Sequence, residues 1–172
     1  DETLFRDVLV PAAEEQGYRP LAIWENGFRQ ITNNERPINT PADLEGLKIR
    51  TPNSSWRVEM FKTYGANPTP MSFSEVFVAL QTGVIDGQEN PLTNISAGKL
   101  NEVQEYLSMS GHVYSPAYPT VGVTAFEKLD PEIQEVLKTT AEEVALWARE
   151  QGPAHKNSSS GEPTHVPARP LA

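Results

Sequence analysis

Cysteine is absent from this 172-residue chain, which removes disulfides, thiolate nucleophiles and zinc–sulfur sites at once. No run approaches the ~18 consecutive apolar residues that a membrane-spanning helix needs, so no insertion into a bilayer is expected. Positive charge is scarce: 14 Lys and Arg stand against 23 Asp and Glu, a formal charge of −9. Such a surface repels phosphate backbones, which argues against nucleic acid as a partner and against adhesion to anionic lipid. Any cation that meets an anionic ligand must therefore be local and placed in advance. Histidine is also rare, at His112, His155 and His165. No metal triad, nucleophile elbow or phosphate-cradling glycine loop is visible, so no catalytic residue, metal or cofactor is expected.

What is present is an alternation of helix and strand patterns. Apolar positions at Leu4, Val8, Val10 and Ala13 form a helical stripe that Gly17 ends. Leu21 to Trp24 reads as a short strand ended by Glu25-Asn26-Gly27. Thr40-Pro41-Ala42-Asp43 has the grammar of a helix start, Gly46 closes that helix after a turn or two, and Leu47-Lys48-Ile49-Arg50 alternates as a strand does. A third helix, capped by Asn53 or Ser54, carries Trp56, Met60, Phe61 and Tyr64. Ser72-Phe73-Ser74-Glu75 is a capping box opening a fourth. Val84-Ile85 reads as a brief strand, and Asp86-Gly87 turns the chain into Gln88-Glu89-Asn90-Pro91. A less regular helix is expected over 100–107, and a proline-broken β segment over 112–125. The clearest helix opens at Asp130-Pro131-Glu132. Strand and helix in turn give an α/β fold with a parallel or mixed sheet. Residues 151–172, rich in Pro and Ser, are expected to be disordered or non-native.

Two arginines sit where such sheets bind ligands. Arg29 follows the Gly27 turn and Arg50 ends a strand. A guanidinium fork matches a carboxylate in a way that a lysine ammonium does not. An arginine taken alone is more often a solvated surface residue. In the 88–91 segment Asn90 has an amide to offer a ligand oxygen, although loop satisfaction is the plainer role. Phe73 and Trp56, each near a helix start, are ordinarily core. Asp86 and Glu89 lie close enough in sequence for a carboxylate pair, which keeps an enzyme acting on an organic acid as an alternative. The capping box already explains Glu75, and the Asp-Gly turn already explains Asp86.

Taken together these segments resemble one family, the solute-binding proteins of TRAP transporters, the tripartite ATP-independent periplasmic systems. The likeness rests on Gly-Phe-Arg-Gln-Ile-Thr-Asn at 27–33 and on Arg-Pro-Ile-Asn-Thr-Pro-Ala-Asp-Leu-Glu-Gly-Leu-Lys-Ile-Arg at 36–50. It continues through the long run from Gly65 to Leu92 and covers roughly residues 1–150. The resemblance implies a two-lobed α/β periplasmic-binding-protein-like fold, one lobe largely present and the other incomplete. Residues 1–26 would be part of the first lobe and a hinge crossing, 27–114 the second lobe, and 115–150 the return crossing and a first-lobe helix. It implies a periplasmic receptor, not an enzyme, that delivers a C4-dicarboxylate or sugar acid to membrane permease subunits. By position Arg50 resembles the principal carboxylate-binding arginine, Arg29 the second basic residue and Asn90 the asparagine completing the polar contacts. Phe73 resembles the aromatic beside the solute, and Glu89 falls in the same segment. Trp56 and Tyr118 are candidates for shaping the pocket. Family members are about twice as long, so a fragment is expected, and a fragment that does not bind is the further alternative.

Overall fold

The computed structural model describes residues 2–151 and a two-residue strand at 169–170. The tail expected at 151–172 lies outside the described residues apart from Gln151 and that strand. The chain divides into two compact units, one joining residues 2–27 with 115–151, the other built on Phe28–Tyr114 and joined by the strand at 169–170.

The first unit begins with helix α1 (Glu2–Leu4), which runs through a π-helical turn, Phe5–Leu9, into α2 (Val10–Glu14). The Val10 N–H bonds to the Phe5 carbonyl just before Pro11, whose missing N–H cannot extend an ordinary ladder. Strand β1 (Tyr18–Pro20) pairs antiparallel with β7 (Thr120–Gly122), which leads through α6 (Val123–Phe126) to α7 (Pro131–Gln151). Ala22, Ala141 and Ala145 are buried together, with Leu21 and Trp24 against them, and the Trp24 indole N–H donates to the Ala141 carbonyl at 2.8 Å.

The chain enters the second unit within β2 (Trp24–Asn33) and leaves it within β6 (Tyr106–Ala117). Between them lie β3 (Lys48–Thr51), α3 (Ser55–Thr63), β4 (Asn67–Pro70), α4 (Phe73–Gln81), β5 (Gly87–Pro91) and α5 (Leu92–Ala97). With the edge strand β8 (Arg169–Pro170) they form one mixed sheet in the order β4-β3-β5-β2-β6-β8. Strand β3 is parallel to β4 and β5, while β2 runs antiparallel to β5. One apolar layer gathers Ile31, Ile38, Leu44, Leu47, Ile49 and Phe61 of α3; another gathers Val76, Ala79, Leu80, Ile85, Ile95 and Leu100 around α4. A sheet covered on both faces has buried central strands, and β5 is buried along its whole length.

Several local expectations change. The 88–91 segment is the buried strand β5 and not a turn, and Val84-Ile85 lies outside any strand. The polar side chains of β5 find partners on β2 as well as within β5, so alternation of hydrophobicity gives no sign of the strand. Arg29 lies inside β2, which begins at Trp24 and passes straight through Gly27; glycine tolerates the φ of 108° there. Residues 100–107 form a 3₁₀ turn, Leu100–Val103, and the start of β6 in place of a helix. Trp56 is no core residue, being 84% exposed. The capping box at Ser72 forms as the sequence predicts, and Thr40, read as a helix start, closes a capping box with Asp43 as well.

Candidate functional site

In the second unit β3, β4 and β5 run parallel, so their carboxyl ends share one edge of the sheet, and α3 and α4 begin there. The start of antiparallel β2 meets the same edge. Arg50 stands near the end of β3, Asn90 near the end of β5, Phe73 opens α4 and Arg29 lies opposite Pro91. The order of the strands alone thus assembles residues from four elements.

Arg50 is only 4% exposed. Its Nε and Nη2 both donate to the Met71 carbonyl, at 3.0 and 2.7 Å, in the turn between β4 and α4. The Phe73 ring lies 5.9 Å from its guanidinium carbon, at cation–π range. Burial pulls the Arg50 pKa below its ordinary value, the negative charge of Glu89 opposes that, and the positive charge of Arg29 adds to it. An arginine stays charged nonetheless. Among the described residues Arg50 forms no ion pair within 4.0 Å.

Glu89 is the other pole, fully buried on β5. Arg29 Nε donates to its carboxylate, and Arg29 Nη2 donates to the Glu89 carbonyl at 2.6 Å and to Asn90 Oδ1 at 3.0 Å. Arg57, on the first turn of α3, comes within 3.7 Å of the same carboxylate oxygen, and His112 Nε2 within 3.3 Å. Burial pushes the Glu89 pKa up, but hydrogen bonding from His112 and Arg29 and the charges of Arg29 and Arg57 outweigh it. The carboxyl is held below its usual range. Glu89 therefore stays ionised and fixes the Arg29 fork.

Residues 2–160 match the model of the family described as bacterial extracellular solute-binding protein, family 7. This chain belongs to that family. It is 45% identical over 143 residues to the 2,3-diketo-L-gulonate-binding periplasmic protein YiaO of Escherichia coli, covering 83% of this chain and 44% of that protein. Among solved structures it is similar to a TRAP periplasmic solute-binding protein from Polaromonas bound to D-erythronate. There the TM-score is 0.83 at 36% identity, over 93% of this chain and 54% of that one. A counterpart from Roseobacter denitrificans with bound β-D-glucuronate gives 0.80 at 36% identity, over 84% and 48%. The chain thus spans about half the length of the relatives it matches. The α/β fold and the TRAP solute-binding resemblance seen in the sequence both stand.

Of the residues the family resemblance implies, Arg29, Glu89 and Asn90 are joined by hydrogen bonds, and Arg50 and Phe73 stack beside one another. Trp56 makes no contact of that kind with them, and Tyr118 stacks on Phe5 in the first unit at 6.3 Å between ring centroids. Asp86 is taken up by Lys48, which it meets through the backbone N–H at 2.8 Å and the ammonium at 3.0 Å. Glu89 is taken up by Arg29, so the two carboxylates answer to different partners and the alternative of a catalytic pair gains no support. Arg57 and His112 are the members of the site that sequence reasoning missed. Arg57 sits one residue past Trp56 in a helix start, and His112 lies in β6, far along the chain; neither has a local signal. Only the pairing of distant strands brings them to Glu89.

Proposed function

We propose that this chain carries the carboxylate grip of an extracytoplasmic solute receptor of a TRAP transporter. The observation behind it is Arg50: a buried cation with no ion-pair partner among the described residues. Burying an unpaired charge is costly, and a ligand carboxylate is the natural compensation. The Nε–Nη2 edge of the guanidinium is committed to the Met71 carbonyl. A carboxylate then approaches end-on, meeting Nη1 and the second hydrogen of Nη2. The backbone carbonyl keeps the fork from turning, and Phe73 screens it from water. Arg29 and Asn90 supply the neighbouring polar contacts, with Glu89 holding Arg29 in place.

The ligands of the relatives above, a diketogulonate, an erythronate and a glucuronate, are all sugar acids or their oxidised kin. A small sugar acid or C4-dicarboxylate is accordingly our reading for this chain, with delivery in the periplasm to membrane permease subunits. Residues 27–114 form the ligand-gripping lobe in this reading, and 1–26 with 115–150 belong to the other. Calorimetric titration with D-glucuronate, D-erythronate and succinate, beside neutral D-glucose and erythritol, tests it. The acids should bind and the neutral compounds should not. Equal binding of neutral compounds, or binding of no acid, contradicts the proposal.

A further inference from the structure

A row of buried polar side chains crosses the sheet behind the site. Gln104 Nε2 faces two backbone carbonyls, Val103 at 3.1 Å and Asp86 at 3.5 Å. Thr32 Oγ1 donates to Gln104 Oε1 at 2.9 Å, Gln88 Nε2 donates to Thr32 Oγ1 at 2.8 Å, and Asn90 Nδ2 donates to Gln88 Oε1 at 2.6 Å. Asn90 Oδ1 then accepts from Arg29 Nη2 at 3.0 Å. Every member is buried, Thr32 and Gln88 completely.

Only one arrangement of hydrogens satisfies this row. Carbonyl oxygens accept and never donate, so the Gln104 nitrogen must face them and its oxygen must face Thr32. The Thr32 hydroxyl has a single hydrogen, which is spent on Gln104, so Thr32 can only accept from its other neighbour. Gln88 must then turn its nitrogen to Thr32 and its oxygen to Asn90. Asn90 in turn gives its nitrogen to Gln88 and its oxygen to Arg29. Reversing that last amide would set N–H groups against a guanidinium, donor against donor, in a site where each unmet polar group is expensive.

We infer that Gln104, Thr32 and Gln88 are positioning residues that set the flip of the Asn90 amide, and through it the Arg29 guanidinium, for carboxylate recognition. The inference rests on the reading of Arg29 and Asn90 as ligand contacts. It also divides the Asn90 amide between two partners, with one N–H held by Gln88 and the other left for a ligand oxygen. A row fixed at its far end by main-chain carbonyls cannot be reset by the ligand, so the site meets its solute already oriented.

The test is a double-mutant cycle between Thr32→Val and Asn90→Ala, with Thr32→Ser as the conservative rescue. Affinity is read by calorimetry with D-glucuronate, D-erythronate and succinate, and melting temperature is read in parallel. Thr32→Val should weaken acid binding by roughly 10-fold, the scale of one misdirected hydrogen bond, and Thr32→Ser should restore it. In the Asn90→Ala background Thr32→Val should add almost nothing, because the row then has no amide to orient. Should Thr32→Val fold poorly, Gln104→Met interrupts the row at its far end and carries the same expectation. A ligand-free readout stands beside these: the Asn90 side-chain amide protons should exchange slowly, lose protection in Thr32→Val or Gln104→Met, and regain it in Thr32→Ser. Independent, additive losses in the cycle, or unchanged Asn90 protection in the row variants, overturn the inference. If Asn90→Ala leaves acid affinity unchanged while Arg50 variants lose it, the ligand role of Asn90 is what fails; if no acid binds, the proposed function itself fails, and amide protection alone then decides the row's orienting role.

Discussion

Replacing Glu89 by Gln probes the site without changing its shape. The carboxylate is fully buried, bonded to Arg29, and within 3.3 Å of His112 Nε2 and 3.7 Å of Arg57. Gln removes the charge that compensates Arg29 and Arg57 while keeping nearly the same volume. Breaking a buried ion pair by removing one partner costs about 3–5 kcal/mol, because the remaining charge stays buried. For a chain of 172 residues each kcal/mol lowers the melting temperature by roughly 2–4 °C, so a fall on the order of 10 °C is expected. The pH dependence has a definite sign. Folding depresses the Glu89 pKa below its ordinary value of 4.5, so its stabilising contribution is fully present above that pH. It is lost as pH falls through the lower, folded-state value. The unsubstituted chain should therefore lose stability below about 4.5, and Glu89→Gln should flatten that part of the acid limb. Chemical denaturation followed by circular dichroism from pH 7 to pH 3 measures both effects. A loss under ~1 kcal/mol at pH 7, or an unchanged acid limb, refutes the argument that Glu89 is the ionised hub of this cluster.

Gly87→Ala should be severely destabilising: a Cβ there would lie 2.4 Å from the Thr32 carbonyl oxygen and 2.7 Å from Asn33 Cβ, forcing β2 from β5. A loss of about 3 kcal/mol or more by denaturant titration is expected, and near-wild-type stability contradicts the packing described. Gly98→Ala meets the Phe73 ring tip at 2.9 Å, so it should tilt the ring that covers Arg50 and alter acid affinity more than stability. An unchanged affinity there means that Phe73 does not face the ligand. Trp56→Ala, at a residue 84% exposed, should change stability by less than ~0.5 kcal/mol in a thermal melt.

The sequence made the helix starts legible because capping is local: Thr40 with Asp43, and Ser72 with Glu75, each satisfy backbone amides within one turn. Arg50 was legible as the end of an alternating strand. Its burial was not, since the groups it meets, the Met71 carbonyl and the Phe73 ring, follow it by some twenty residues in the chain. Strand β5 was hidden for a stronger reason. Gln88, Glu89 and Asn90 read as a polar turn, and only their partners on β2, β3 and β6 make them a buried strand. Arg57 and His112 were missed because long-range pairing, not spacing, brings them to Glu89. Family resemblance is the source of the proposed roles of Arg29 and Asn90; the structure shows the hydrogen bond that joins them.

The proposed end-on carboxylate grip of Arg50 is tested most directly by Arg50→Lys. Lysine keeps the charge but cannot hold the Met71 carbonyl and present a planar fork together. Calorimetric titration of the tightest-binding acid among D-glucuronate, D-erythronate and succinate should show a loss of ~2–5 kcal/mol in Arg50→Ala, roughly 30-fold to several thousand-fold, with most of it already present in Arg50→Lys. Full affinity in Arg50→Lys, with folding intact, would contradict the grip.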